Sequence, residues 1–393
     1  MKKIIDRMKL IFAIVILAGM IIPSNIVLAE ASGQLQASEE TKVDYKKAVT
    51  NLKDLISNTP SMKQQIDKAL KIQPKNSYWG GKTSDDFVKF FEEWLVENPV
   101  PEDPAKYIRP FDELANSEAG EILFNNNVFS SWFIAFVNAK GQYLDTASSA
   151  ATMDQWMSYP DVKINDYIVP KGGFKTFNEF FLRPFKPGAR PLDGKNDPSV
   201  IVSPADGTVC QIYAEDLGTN FKIKRDVINI RQALNNSPYA DRFIGGLVLD
   251  ILLWFTDYHY FHSPVSGKIV EVGEYAGSYN YNFANVNWYK QLAKHKRTCY
   301  LIETKEFGLV AMIPVGFWGV GSIITEPKVK VGNYIKKGEE IGHFKYGGSS
   351  ILLIFEPDVV KFTLSIPVQV TGDEGISVKV RQKIGISTKP ASR

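Results

Sequence analysis

Between about Val43 and Trp156 apolar residues return every three or four positions, the spacing of amphipathic helices. The plainest stretch is Ser84 to Asn98, where Phe87, Phe90, Phe91, Trp94 and Leu95 fall at i, i+3, i+4, i+7 and i+8 and share one face. Thr83 and Asp86 have capping-box spacing at its start, and Pro99 closes it. An aromatic stripe of this kind predicts core packing, not a cofactor box. After about Val169 the texture changes to short β-branched runs broken by Gly, Pro and Asn: Val200–Val202, Val209–Tyr213, Lys268–Val272, Gly308–Pro314, Lys328–Ile335 and Ile351–Phe355. Many short strands with turn signals predict a β-rich sandwich or barrel. The expected class is α+β, with a helical N-terminal region over residues 43–165 and a β-rich, barrel-sandwich-like domain over 166–393.

Three segments echo one another: Ser203-Pro-Ala-Asp-Gly-Thr-Val209, Ser263-Pro-Val-Ser-Gly-Lys-Ile269 and Val329-Lys-Val-Gly-Asn-Tyr-Ile335. With Lys337-Gly-Glu-Glu-Ile-Gly342 they resemble the hairpins of biotinyl and lipoyl barrel sandwiches. No Met-Lys-Met tripeptide occurs, and the one Asp-Lys-Ala, Asp67-Lys68-Ala69, lies in the helix-patterned region far from these segments, so the echo concerns fold and not carrier function.

At the N-terminus, Lys2, Lys3, Arg7 and Lys9 precede an apolar run from Leu10 to Ile22, followed by Pro23-Ser24-Asn25 and by Val27-Leu28-Ala29. A charged n-region, an apolar h-region and small residues at −3 and −1 read as a secretory signal peptide over 1–29. The competing reading is an uncleaved anchor, since the run reaches about 20 residues if extended to Ala29. Residues 30–42 are a linker by composition. The mature protein is expected to be exported.

The 393 residues suggest two or three domains, and 44% hydrophobic with 23% charged residues excludes wholesale disorder and a polytopic membrane protein. Two cysteines, Cys210 and Cys299, are too few for a disulfide scaffold or a zinc-cysteine site. The net charge of +3 resides in the first 29 residues, and the neutral remainder argues against a nucleic-acid partner.

Four histidines are available, and two share Asp257-Tyr-His-Tyr-Phe-His262. A pair at i, i+3 could ligate a metal on one helical face, but the glutamate of a zincin helix and any further His/Cys cluster are missing, so no metal site is expected. Structural histidines compete with catalytic ones here. Gly347-Gly348-Ser349-Ser350 lies between two strand-like runs and reads as a tight, placed connection. Its glycines remove Cβ crowding around one peptide bond and permit strained φ/ψ values. A serine after such a glycine could attack the preceding carbonyl, given a base and an acid to orient that base. Asp206, in a glycine turn, is a candidate acid; alone it reads as an ordinary Asp-Gly turn.

Ser-Pro-Ala-Asp-Gly, then Asp-Tyr-His-x-x-His, then Gly-Gly-Ser-Ser, in that order with strands between, resembles the phosphatidylserine decarboxylase family. Phe177-Asn-Glu-Phe-Phe-Leu-Arg-Pro184, Arg190-Pro191 and Val315-Gly-Phe-Trp-Gly-Val-Gly-Ser-Ile323 add to the match, which runs from about Phe174 to Val360. The helical region resembles an extension in a branch that includes fungal tryptophan decarboxylases. The resemblance implies a self-cleaving proenzyme cut between Gly348 and Ser349, with Asp206, His262 and Ser349 as the processing triad. Ser349 would become a covalent pyruvoyl group, the electron sink for loss of CO2. His259 would position substrate or protonate the product carbanion. Ser350 stands where the family often has threonine, and Gly347 where many bacterial members have leucine.

The implied activity is conversion of phosphatidylserine to phosphatidylethanolamine. The alternative is decarboxylation of a free aromatic amino acid in a slot lined by Trp254, Phe255, Tyr258 and Phe317. Expected partners are the phospholipid or amino-acid substrate, the two cleaved chains with each other, and a membrane surface touched peripherally. A triad hydrolase is disfavoured because the Gly-x-Ser-x-Gly elbow is missing.

Overall fold

A computed structural model describes residues 44–214, 220–223, 226–277, 295–316, 322–347, 349–364 and 375–389. The expected signal segment and linker, residues 1–42, lie outside the described residues, as do Phe317 and Gly348.

The helical region holds α1 (Lys47–Asn58), α2 (Pro60–Lys71), α3 (Ser84–Leu95), α4 (Ile108–Ala115), α5 (Glu118–Phe124), α6 (Asn127–Leu144) and α7 (Met153–Ser158), followed by the short α8 (Phe177–Phe181). The predicted capping box starts α3: the Thr83 hydroxyl accepts from the Asp86 amide, and the Asp86 carboxylate accepts from the Thr83 amide at 2.9 Å. The helix ends at Leu95, short of Asn98, because Val96 already leaves helical geometry. All five residues of the stripe are buried. Phe91 meets Trp132 and Phe136 of α6 edge-on, with ring centroids at 4.9 and 5.0 Å. Such contacts add about 0.5–1.5 kcal/mol per pair beyond area burial. The stripe is core.

The β-rich part contains β1 (Val200–Val202), β2 (Gly207–Ala214), β3 (Asn220–Ile223), β4 (Asp226–Asn229), β5 (Leu247–Leu253), β6 (Tyr260–His262), β7 (Gly267–Tyr275) and β8 (Arg297–Thr304). They are followed by β9 (Gly308–Gly316), β10 (Ile323–Thr325), β11 (Tyr334–Ile335), β12 (Glu340–Phe344), β13 (Ser349–Phe355), β14 (Val360–Phe362), β15 (Ile376–Val378) and β16 (Lys383–Ser387). An eight-stranded sheet runs β11-β7-β8-β9-β13-β5-β2-β15, and β1-β16-β14 and β10-β12-β6 form two smaller sheets. The class is α+β. Among the described residues the large sheet is open and not closed into a barrel, because its outer strands β11 and β15 are short and each pairs on one side.

Strand β13 lies between β9 and β5, and all seven of its residues are buried. Its side chains alternate between two cores. Leu352 and Ile354 join the core that contains the helices, whereas Ile351, Leu353 and Phe355 join the core under the small sheets. The helical region therefore covers one face of the sheet and shares its core.

One expectation is corrected. Lys328–Ile335 is strand only at Tyr334–Ile335, since Gly332, with φ of 94°, turns the chain just before it. The strand-like runs that flank Gly-Gly-Ser-Ser are strands, as expected, but they do not pair with each other. Strand β12 pairs with β10 and β6, whereas β13 belongs to the large sheet, so the connection passes from one sheet to another.

The two Ser-Pro-x-x-Gly segments are built alike. Ser203 Oγ donates to the Ala205 carbonyl and Ser263 Oγ to the Val265 carbonyl, each at 2.7 Å. The Val202 amide donates to the Pro264 carbonyl, and reciprocally the His262 amide donates to that of Pro204. A Cβ on Gly207 or Gly267 would lie 2.5 or 2.4 Å from a backbone oxygen of the neighbouring strand, so both positions require glycine. Equivalent places then go to Asp206, which accepts from the Val380 amide, and Ser266, which accepts from the Lys337 amide, each at 2.8 Å.

Candidate active site

Ser349 opens β13, opposite Leu253 at the end of β5 and Gly316 at the end of β9. Its side chain is fully buried, and Oγ has no hydrogen-bond partner among the described residues. An orphaned buried hydroxyl is costly, by about 1–3 kcal/mol, and unusual enough to ask for a reason. Just upstream, Gly347 has φ of 140°, a conformation that residues with a side chain rarely adopt. Gly348 lies outside the described residues. The next residue, Ser350, donates to the buried Asp250 and to the Ile251 carbonyl at 3.0 Å.

The chain leaves β5 at Leu253 and loops through Trp254–His259 at the same end of the sheet as Ser349. This segment is a loop leading into β6, not a helix, so His259 and His262 do not share a helical face as metal ligands would. Arg183 holds the loop: Nη2 donates to the Thr256 carbonyl at 2.6 Å and Nη1 to that of Phe180 at 3.4 Å. Its guanidinium lies 4.3 Å from the Tyr167 ring centroid, a cation–π contact in a fully buried setting.

The hydrogen bonds define both imidazole tautomers. His262 Nδ1 is 3.0 Å from the Gly338 carbonyl, which can only accept, so Nδ1 carries the proton. Nε2 therefore offers its lone pair and accepts from the Tyr258 hydroxyl at 3.1 Å. His259 Nδ1 likewise donates to the Asp257 carbonyl at 3.0 Å, and its Nε2 is buried without a partner among the described residues. The His259 ring packs on Phe181 with centroids 3.9 Å apart. Burial pushes the His259 pKa down to about 3 and that of His262 to about 4, with Arg183 and Arg381 respectively adding to the shift. Both rings are neutral near pH 7. Burial has the opposite effect on the Asp257 carboxyl, raised to about 6.

Asp206 is 2% exposed and gripped by Arg190, whose Nε reaches Oδ1 at 3.0 Å and whose Nη2 reaches Oδ2 at 2.6 Å. Lys379 adds a longer contact at 3.6 Å. The structure thus sets Asp206 and His262 on adjoining segments, through the His262 amide bond to Pro204, but the His262 ring is oriented by Gly338 and not by Asp206. Phe255 and Tyr258 do not line one slot: Phe255 packs on Tyr346, whereas Tyr258 packs on Phe185 in a tilted contact with centroids 4.1 Å apart. Phe317 lies outside the described residues. The roles of Arg190, Arg183 and Tyr346 did not emerge from the sequence; the Arg183-Pro184 and Arg190-Pro191 pairs were the available signal.

A sequence model described as phosphatidylserine decarboxylase matches residues 177–386, more than half of the chain. The chain belongs to the phosphatidylserine decarboxylase family. It is 31% identical to the phosphatidylserine decarboxylase proenzyme of Clostridium novyi over 267 residues, 67% of this chain and 87% of that protein. Proenzyme 3 of Schizosaccharomyces pombe is 35% identical over 225 residues, 57% of this chain and 23% of its own length. Proenzyme 2 of Oryza sativa subsp. japonica is 31% identical over 255 residues, 64% of this chain and 40% of its own length. The chain thus spans less than half of these two relatives. The family segment begins at Phe177, after the helices α1–α7.

Proposed function

We propose that this chain is a self-cleaving, pyruvoyl-dependent decarboxylase acting on phosphatidylserine. The observation that carries the reading is the Ser349 hydroxyl, buried and without a partner among the described residues, directly after a glycine pair in a chain of this family. Ser349 Oγ attacks the Gly348 carbonyl while a neutral imidazole takes its proton, and the acyl group moves from nitrogen to oxygen. Elimination of the ester leaves Gly348 as the carboxyl end of a large chain. Loss of ammonia to water then leaves a pyruvoyl group at position 349. That group supplies the electron sink for loss of CO2.

His262 is the base in this reading, since its Nε2 bears the lone pair and its Nδ1–H is anchored on Gly338. To act, Nε2 must exchange the Tyr258 hydroxyl for that of Ser349. Asp206 secures the neighbouring turn. His259, whose Nε2 has no partner among the described residues, handles the proton that replaces the carboxylate on the product carbon. The Arg183 grip on the loop fixes the His259 backbone. Export of the chain, with action at a membrane surface, belongs to the same proposal and rests on the character of residues 1–29. Among the described residues no helix is long and apolar enough to cross a membrane. An aromatic amino acid as substrate gains nothing from the site, because Phe255 and Tyr258 diverge.

Intact-mass analysis of the purified protein is the test. Processing yields a small chain of residues 349–393, about 5 kDa at the average residue mass, which resists Edman sequencing because it lacks an amine. Decarboxylation of phosphatidylserine by an uncut single chain would overturn the mechanism.

A further inference from the structure

The Gly338 carbonyl that accepts His262 Nδ1–H has a second donor: Arg381 Nε reaches the same oxygen at 3.0 Å. The two nitrogens are therefore within about 6 Å of each other. Gly338 does not depend on this contact for its place. Its amide donates to the Ser263 carbonyl at 2.8 Å, and the Lys337 amide donates to Ser266 Oγ at 2.8 Å. The Lys337 ammonium adds bonds to the Gly194, Asp197 and Val200 carbonyls.

The backbone at Arg381 is a separate sign. Residues 379–382 form a turn closed by the Gln382 amide on the Lys379 carbonyl at 3.0 Å. Arg381, its third residue, has φ of 70°, a conformation that turns usually give to glycine or asparagine. The bonds that fix the turn, Val380 amide on Asp206 and Arg381 amide on the Ser203 carbonyl at 2.9 Å, come from the main chain and need no arginine. What arginine adds is the guanidinium on Gly338, with a longer reach of 3.5 Å to the Arg190 carbonyl.

Other charged or titratable groups surround His262. Tyr258 holds Nε2, Asp206 lies in the adjoining turn under its Arg190 clamp with Lys379 beyond, and Glu340 is opposite on β12. Lys328 is paired with Glu339 at 2.9 Å. The carboxylates favour a protonated ring and the cations a neutral one. Arg381 alone of the named cations shares the ring's own anchor, so a proton on Nε2 would set two positive groups on one carbonyl.

We propose that Arg381 is a positioning residue for the processing base: through the shared Gly338 carbonyl it keeps the His262 ring uncharged, with Nε2 as the accepting nitrogen. The proposal rests on the reading of the chain as self-cleaving with His262 as base. Arg381 follows the cleavage position, so the smaller fragment would supply this group.

The test follows cleavage of full-length protein released from cell-free translation into buffers from pH 8 to 4. Arg381→Met should slow the plateau rate about threefold and raise the pH of half-maximal cleavage by about one. Arg381→Lys, which keeps the charge without the fixed fork, should fall between. Arg381→Asn suits the turn, so it should melt close to the parent yet show the Arg381→Met profile. The difference should persist with Glu340→Gln in both proteins. A merely structural role would slow cleavage equally at every pH and follow melting temperature. Superimposable profiles for parent and Arg381→Met, a loss that Arg381→Asn restores, or a difference that vanishes with Glu340→Gln each overturn the proposal. In a Ser349→Ala background, nitrogen-15 NMR of the His262 ring should show protonation starting at higher pH in Arg381→Met. A parent that never cleaves refutes the proposed function instead, and the NMR comparison then still decides the role of Arg381.

Discussion

Replacing Arg190 by methionine removes the clamp on Asp206 at nearly constant side-chain length. The parent carboxylate, 2% exposed, receives Arg190 Nε at 3.0 and 3.2 Å, Nη2 at 2.6 Å and the Val380 amide at 2.8 Å. After substitution the Val380 amide remains, with Lys379 at 3.6 Å and more than a third exposed. Breaking a buried pair by deleting one partner costs about 3–5 kcal/mol, because the other charge stays desolvated. Lys379 offsets part of that, so a loss of about 3 kcal/mol is expected. The second Arg190 bond, to Asp166, ends on a carboxylate 39% exposed and adds about 0–1 kcal/mol. Urea unfolding in a Ser349→Ala background, in which the proposed cleavage cannot occur, measures the loss. Adding Asp206→Asn removes the stranded charge, so the double variant should be more stable than the sum of singles predicts, by about 1–3 kcal/mol. A loss below about 1 kcal/mol, additive with Asp206→Asn, would refute the clamp.

The two histidines should separate by phenotype: His262→Ala accumulates uncut proenzyme on a denaturing gel, whereas His259→Ala still cleaves but releases CO2 at least tenfold more slowly. The reverse pattern would exchange their roles. Acid provides the last prediction. Folded pKa values of about 3 and 4 for His259 and His262 lie below the ordinary 6.5, so the unfolded chain binds more protons between those limits. Stability therefore falls as pH drops below about 6.5. Asp257, raised to about 6, opposes this, but the two histidines outweigh it. The proposed self-cleavage needs a neutral imidazole, so its rate should hold from pH 8 to about 5 and collapse near 4. Urea midpoints and a gel time course against pH check both halves, and a cleavage rate that halves between pH 7 and 6 would contradict the assignment.

Features that depend on neighbours in sequence were legible. The Thr83–Asp86 box and the aromatic stripe of α3 follow from spacing alone, and β-branched runs marked most of the large sheet. Which strands pair was not legible at Gly347–Ser350, because strand pattern carries no information about the sheet a strand will join. The site shows the same division. Asp206, His259, His262 and Ser349 stand out by motif, but what touches them comes from far along the chain: Gly338 for His262, Val380 for Asp206, Phe181 for His259.

The central place of β13 has a kinetic consequence. A cut before Ser349 would leave the smaller fragment contributing the middle strand of the large sheet, between β9 and β5, and both β16 and β14 of a second one. The pieces could not part without dismantling both sheets, so they would behave as one cooperative body. Recovery after denaturation would be different, because two separate chains must find each other before any sheet forms. Refolding of the processed protein should therefore be second order and fail on dilution, whereas the uncut precursor folds at a rate independent of concentration. Scission would make folding a single-use event, with the lifetime of the mature protein governed by its unfolding rate and not by an equilibrium.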